Sequence, residues 1–182
     1  RSLGINYLLS IGPDKNGELS PAAYKNIAEV ADWMRIHRAA INGSYPLPKG
    51  ESASTFATAS GNIRYLFRVP KYKKHSWKGP FPEDQAERKD EILTLKGSHP
   101  VESVKLLSSN TPLPFKLLDD TVEITLPKEM QSELVDVVAL TLKPNPSPQK
   151  AKLSREAFHN KRKASMSPDA LAWEKILEAQ LG

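Results

Sequence analysis

Cysteine is absent from the 182 residues. That excludes disulfides, zinc–thiolate centres and iron–sulfur clusters, and it leaves the redox compartment unread. Histidine is scarce. His37, His75, His99 and His159 are scattered, with no pair four apart as on a metal-binding helix, so each is expected on the surface or in a loop. No run approaches the roughly 20 apolar residues that span a bilayer, so no membrane span is expected. There is neither a Gly-x-Ser-x-Gly nucleophile elbow nor a glycine-rich phosphate loop. Charge of one sign is in small excess: 26 Lys and Arg against 21 Asp and Glu give +5. That is ordinary for this length, and no nucleic-acid partner is inferred from it. Glycine numbers 9 against 15 prolines, a balance that suits many loops and interrupted strands. The 39 % of residues that are hydrophobic suffice for one modest core or two small ones.

Residues 4–11, Gly-Ile-Asn-Tyr-Leu-Leu-Ser-Ile, form a nearly continuous apolar run that stops at Gly12-Pro13. A run without alternation fits a strand buried on both faces, as in a parallel sheet covered by helices. Asp14-Lys15-Asn16-Gly17 is a turn. Ser20-Pro21 reads as N-cap and first helical residue. From there to Ile41 the apolar residues Tyr24, Ile27, Val30, Ala31 and Met34 recur with helical period, with Trp33 beside them. Asn42-Gly43 stops the helix. The chain opens on Arg1, almost at once inside strand-like sequence, which leads us to expect a piece of something longer.

The pattern changes near Pro46-Leu47-Pro48-Lys49-Gly50. Ile63, Tyr65, Phe67 and Val69 alternate with Arg64, Leu66 and Arg68, which predicts a half-buried strand ended by Pro70. Residues 91–96, 101–107, 115–118, 121–126 and 135–142 are further strands. Asp119-Asp120 turns one into the next, and Val122, Ile124 and Leu126 share a face. Short strands with turns between them indicate an antiparallel sandwich. Residues 71–90 are a polar, Pro-containing insertion. Pro144-Asn145-Pro146-Ser147-Pro148 has linker composition, and residues 154–163 are polar and basic. Ser167-Pro168-Asp169 starts a helix with Trp173, Ile176, Leu177 and Leu181 on one face.

Gly4-Ile5-Asn6-Tyr7-Leu8-Leu9-Ser10-Ile11-Gly12-Pro13, followed by Asp14 and Gly17, resembles the Gly-x-Asn-Tyr-Leu-Leu-Asn-Ile-Gly-Pro segment of the α-L-fucosidases. These are retaining glycoside hydrolases with a (β/α)8 catalytic domain followed by a β-sandwich. Trp33-Met34-Arg35-Ile36 stands where the family has Trp-Leu-Lys-Val, and Ala40-Ile41, Gly43-Ser44 and Pro46 continue in register. Ser10 replaces the usual Asn, His37-Arg38-Ala39 replaces Asn-Gly-Glu, and Asn42 replaces a Tyr. The resemblance covers about a quarter of the chain. It implies an α+β fragment: the last βα unit of the barrel over residues 1–46, the sandwich over 47–143, and a linker and helical tail over 144–182. It implies a fucosylated glycan as substrate of the intact protein, an upstream barrel as the missing partner, no cofactor or metal, and a secreted, periplasmic or lysosomal-type compartment.

A retaining glycosidase works with two carboxyl groups about 5–5.5 Å apart. In the resembled family the nucleophile is an Asp and the acid/base a Glu, both upstream of the matched segment, so no catalytic residue is assigned here. Asp119-Asp120 reads as a hairpin, and Glu83-Asp84 as solvated. Asn6, Ser10 and Asp14 stand where the barrel mouth is expected, each either structural or in contact with substrate. Lys71-Tyr72-Lys73-Lys74-His75-Ser76-Trp77-Lys78 mixes bases and aromatics. Tyr72 and Trp77 either form a platform for a sugar or a nucleic-acid base, or tuck onto the sandwich. Lys161-Arg162-Lys163 reads as a solvated basic stretch. Asn42-Gly43-Ser44 fits both a glycosylation sequon and a helix end. A stand-alone carbohydrate-binding sandwich is the alternative to an enzyme part.

Overall fold

Ser20 begins the helix as its sequence predicts. Its Oγ accepts from the Ala23 N–H at 3.2 Å, Pro21 fills the first turn, and helix α1 runs over Pro21–Ile41. It ends at Asn42, followed by Gly43 with φ +70°, a conformation glycine adopts without a Cβ penalty. The computed structural model describes residues 1–5, 10–72, 85–98 and 100–144. Asn6, His75, Trp77, Glu83, Asp84, His99, His159 and the tail after residue 144 lie outside the described residues.

Ten strands follow α1 among the described residues: β1 Tyr45–Pro46, β2 Ser52–Ala53, β3 Phe56–Ser60, β4 Ile63–Arg68, β5 Glu91–Lys96, β6 Val101–Leu106, β7 Thr111–Pro112, β8 Phe115–Leu118, β9 Thr121–Leu126 and β10 Asp136–Leu142. They make two sheets, one in the order β1-β3-β4-β10-β6-β7 and one in the order β2-β5-β9-β8. Every paired neighbour is antiparallel. Asp119, with φ +52°, makes the tight turn between β8 and β9.

The inner faces of the sheets meet in one core. Leu66, Val104, Val138 and Leu140 come from the six-stranded sheet, and Leu93, Leu95, Val122, Ile124 and Leu126 from the four-stranded one. Period-two alternation puts Val122, Ile124 and Leu126 inside and leaves Thr121, Glu123 and Thr125 half-buried on the other face. A second cluster lies on the outer face of the six-stranded sheet. There Tyr65, Phe67, Val137 and Ala139 pack against Ala40, Trp33 and Ile41 of α1. The described residues of 21–144 are therefore layered as helix, sheet, sheet.

Two sequence expectations need correction. The first is β4, expected half-buried. It is buried on both faces apart from Ile63, because α1 covers Tyr65 and Phe67 while Leu66 faces the sandwich core. Its arginines escape the alternation rule because their charges are paired. The second is His37, expected on the surface. It is 4 % exposed and stacks on Trp33 with ring centroids 4.4 Å apart. Its Nδ1 lies 2.9 Å from the Trp33 carbonyl oxygen, so that nitrogen carries the proton. The apolar stripe of α1 lies open: Tyr24, Ile27 and Val30 are 60, 38 and 55 % exposed, and the helix meets the sheet through its last turns. There Trp33 Nε1 donates to the Val135 carbonyl at 2.8 Å, and Thr58 Oγ1 and Ser44 Oγ donate to the Ala40 carbonyl at 2.8 and 2.7 Å. Ser44 is thereby committed to the helix end. Of the strand expected over residues 4–11, residues 6–9 lie outside the described residues, and Gly4, Ile5, Ser10 and Ile11 at its ends carry no strand pairing. Leu3 and Ile5 are 70 and 64 % exposed, with no described strand beside them to share hydrogen bonds. No helix among the described residues is long and apolar enough to cross a membrane.

Candidate functional site

The loop after Ile11 is held by Asp14. Its Oδ1 accepts from the Asn16 and Glu18 N–H groups at 2.8 and 3.0 Å, and its own N–H donates to the Glu18 carbonyl at 2.8 Å. That is an Asx-type turn closed on itself, in which the carboxylate shapes backbone. Ser10 is exposed. Tyr72 is half-buried and makes an isolated antiparallel bridge with Gln85. Its companion Trp77 lies outside the described residues.

The buried carboxylates are all engaged by arginine. Glu51, just before β2, binds Arg64 of β4 through both oxygens, with Nη2–Oε1 at 2.7 Å. At the other end of β4, Arg68 donates to Glu91 Oε1 at 3.1 Å, to Gln131 Oε1 at 2.9 Å, to the Ser132 carbonyl at 3.1 Å and to Asp136 Oδ2 at 3.4 Å. Gln131 Nε2 donates onward to the carbonyls of Lys89 and Leu126 at 2.7 and 3.1 Å. Each guanidinium nitrogen of Arg68 donates at least one hydrogen bond, as a buried charge requires. Asp120 sits in its hairpin, 3.8 Å from Lys96 Nζ. No cluster of His, Asp and Glu able to hold a metal ion occurs among the described residues. Burial raises the Tyr65 phenol above its usual value.

Among the described residues, hollows open at the surface on either side of Phe56. The first, of about 520 Å³, runs between α1 and the outer face of the six-stranded sheet. Its walls are apolar: Val30 and Trp33 from the helix, and Phe56, Phe67, Val69 and Val135 from the sheet. With Tyr24 and Ile27 close by on α1, it forms an apolar tract of the kind that marks an interaction surface. The second, of about 570 Å³, opens where the chain crosses from β2 to β3. Phe56, Val69 and Ile92 line it beside Arg68, Lys71 and Glu91. Sequence reasoning missed this hollow. Phe56 lies in β3, whose Phe-Ala-Thr-Ala-Ser carries no clear alternation, and Ile92 approaches it only through the pairing of distant strands.

No protein-family model matches the chain. Among curated proteins it is 36 % identical to the tissue alpha-L-fucosidase of Bos taurus over 74 residues, which is 39 % of this chain and 16 % of that protein. It is 44 % identical to the tissue alpha-L-fucosidase of Rattus norvegicus over 45 residues, 25 % of this chain and 10 % of that protein. Among solved structures its fold is similar to that of alpha-L-fucosidase isoenzyme 1 from Paenibacillus thiaminolyticus. The TM-score is 0.53 at 20 % identity, over 75 % of this chain and 30 % of that one. The chain thus covers less than a fifth of the length of these curated relatives. The parts matched fit a C-terminal fragment of such a protein.

Proposed function

We infer that this chain belongs to the α-L-fucosidases and is the C-terminal part of a retaining glycoside hydrolase that removes terminal α-linked L-fucose from glycans. In this reading residues 1–46 supply the last strand-helix unit of a (β/α)8 barrel. Residues 47–143 are the sandwich that buttresses it, and residues 144–182 a Pro-rich linker and helical tail. The observation that carries the reading is the 36 % identity over 74 residues to a tissue alpha-L-fucosidase. The exposed stripe of α1 supports it physically. Tyr24 and Ile27 stand exposed on α1, with Val30 beside them lining the first hollow, and a neighbouring barrel helix has the chemistry to cover the stripe.

In such an enzyme one carboxylate attacks the anomeric carbon while a carboxylic acid protonates the leaving oxygen. The second group then activates the water that releases the sugar. In this reading both lie upstream of the matched segment, and the partly buried carboxylates among the described residues are engaged elsewhere. Glu51, Glu91 and Asp136 are locked to arginines and Asp14 is consumed by its turn. The part of this chain is to stiffen the barrel and border its mouth, with Asp14 fixing the shape of the loop there. Asn6 and Ser10 remain candidates of this segment, either structural or in contact with substrate.

The test is hydrolysis of an aryl α-L-fucoside. The 182-residue chain is expected to show no turnover, and the protein extended upstream to include seven further strand-helix units is expected to show it. Turnover by the chain alone overturns the reading. A second reading, a stand-alone carbohydrate-binding sandwich, is favoured by the sealed core between the two sheets, which needs nothing from outside.

A further inference from the structure

Phe56 opens β3, yet its ring is 57 % exposed. Ile92, on the opposite sheet, is 61 % exposed. Both line the second hollow, whose floor is ionic. Glu91 lies between two cations there, Arg68 Nε on one oxygen at 3.1 Å and Lys71 Nζ on the other at 3.1 Å. Asp136 also holds Arg68. Two cations thus meet two carboxylates, and the floor carries no net charge. A charged ligand gains nothing there that the internal pairs do not already supply. The floor is also pre-organised. Arg68 is 4 % exposed and fixed by four acceptors, so its partner Glu91 is held in turn. Lys71, by contrast, is 72 % exposed and keeps ammonium donors to spare.

A ligand suited to this hollow has an apolar face, a rim of neutral hydroxyls and no charge. We propose that the second hollow binds a neutral pyranose ring of a glycan. The ring's C–H face stacks on Phe56, whose π-face is electron-rich. Val69 and Ile92 flank it, and Lys71 donates to a hydroxyl while Glu91 accepts from one. About 570 Å³ lies within the range of small-molecule sites, and a few placed polar groups on apolar walls are their usual make-up. The site binds without turnover, and it holds whether the chain is part of an enzyme or a binding module.

The experiment titrates the isotopically labelled 182-residue chain with methyl α-L-fucopyranoside and methyl β-D-galactopyranoside. N-acetylneuraminic acid and glucosamine serve as charged comparators, and binding is followed by NMR. Saturable shifts are expected at Phe56, Ile92 and Lys71 with a neutral glycoside and not with the charged sugars. Phe56→Ala should weaken binding by about tenfold, the weight of one aromatic contact. Ile92→Ser, on the other wall, should weaken it too. Trp77→Ala should leave it unchanged. Absence of saturable shifts with both neutral glycosides overturns the proposal. So does preference for a charged sugar, or binding lost in Trp77→Ala but kept in Phe56→Ala.

Discussion

Arg64 and Glu51 join the two sheets at one end of the sandwich. The guanidinium rises from β4 of the six-stranded sheet and grips both carboxylate oxygens of a residue leading into β2 of the other, with both side chains under a tenth exposed. At the opposite end of the same strand Arg68 reaches one oxygen of Glu91 of β5, whose other oxygen is held by Lys71. The apolar core lies between two ionic clamps.

Breaking one clamp from a single side leaves a buried charge without its counterpart. Glu51→Gln should therefore cost about 3–5 kcal/mol. Urea denaturation should show a lower midpoint with an unchanged slope. The double change Arg64→Met with Glu51→Leu removes both charges and should recover most of that loss.

Trp33 ties α1 to the sheet through one indole donor. Trp33→Phe keeps a ring against His37 but leaves the Val135 carbonyl without this donor, at a cost of about 1–2 kcal/mol. Thermal unfolding of the two proteins at one pH measures it. A change below the error of the method would mean that the carbonyl finds water instead.

Tyr65 sets an alkaline limit. Burial raises its phenol above the usual value, which means the folded state holds that proton more tightly than the unfolded chain. The contribution is fully present below the unfolded value of about 10 and is lost as pH rises through the higher folded value. Stability should fall above pH about 10. Tyr65→Phe should flatten that part of the profile, and an identical profile in the variant would assign the loss to other groups.

The stripe on α1 is a surface in this chain, so its removal should cost little. Ile27→Ser and Val30→Ser should each change stability by no more than about 0.5 kcal/mol. Binding of a hydrophobic dye should fall and solubility should rise. A large loss of stability would show that these side chains bury against something within the chain.

Much of this architecture is legible in the residues. Ser20-Pro21 and Asn42-Gly43 mark both ends of α1 because capping is local chemistry. Val122, Ile124 and Leu126 betray β9 because its outer face is wet. β3 was not legible, since Ala57 and Ala59 are too small to advertise an inward face. The two-residue strands β1, β2 and β7 are too short to leave a period. β4 misled because Arg64 and Arg68 look like solvent-facing residues until their carboxylates arrive from elsewhere in the chain. His37 misled for a similar reason, its cover being Trp33 one turn away and a sheet formed later in the sequence. The second hollow was invisible because Phe56, Lys71 and Ile92 converge only through the pairing of the sheets.

Helix α1 is one uninterrupted rod of 21 residues, about 31 Å long at the usual rise. Its final turns are mortared into the sandwich while its opening turns present a bare flank. Such a rod has no joint, so any body that seats on Ile27 and Val30 shares its orientation with the sheets beneath. Tilting either body would carry the other with it, and the two would move as one piece.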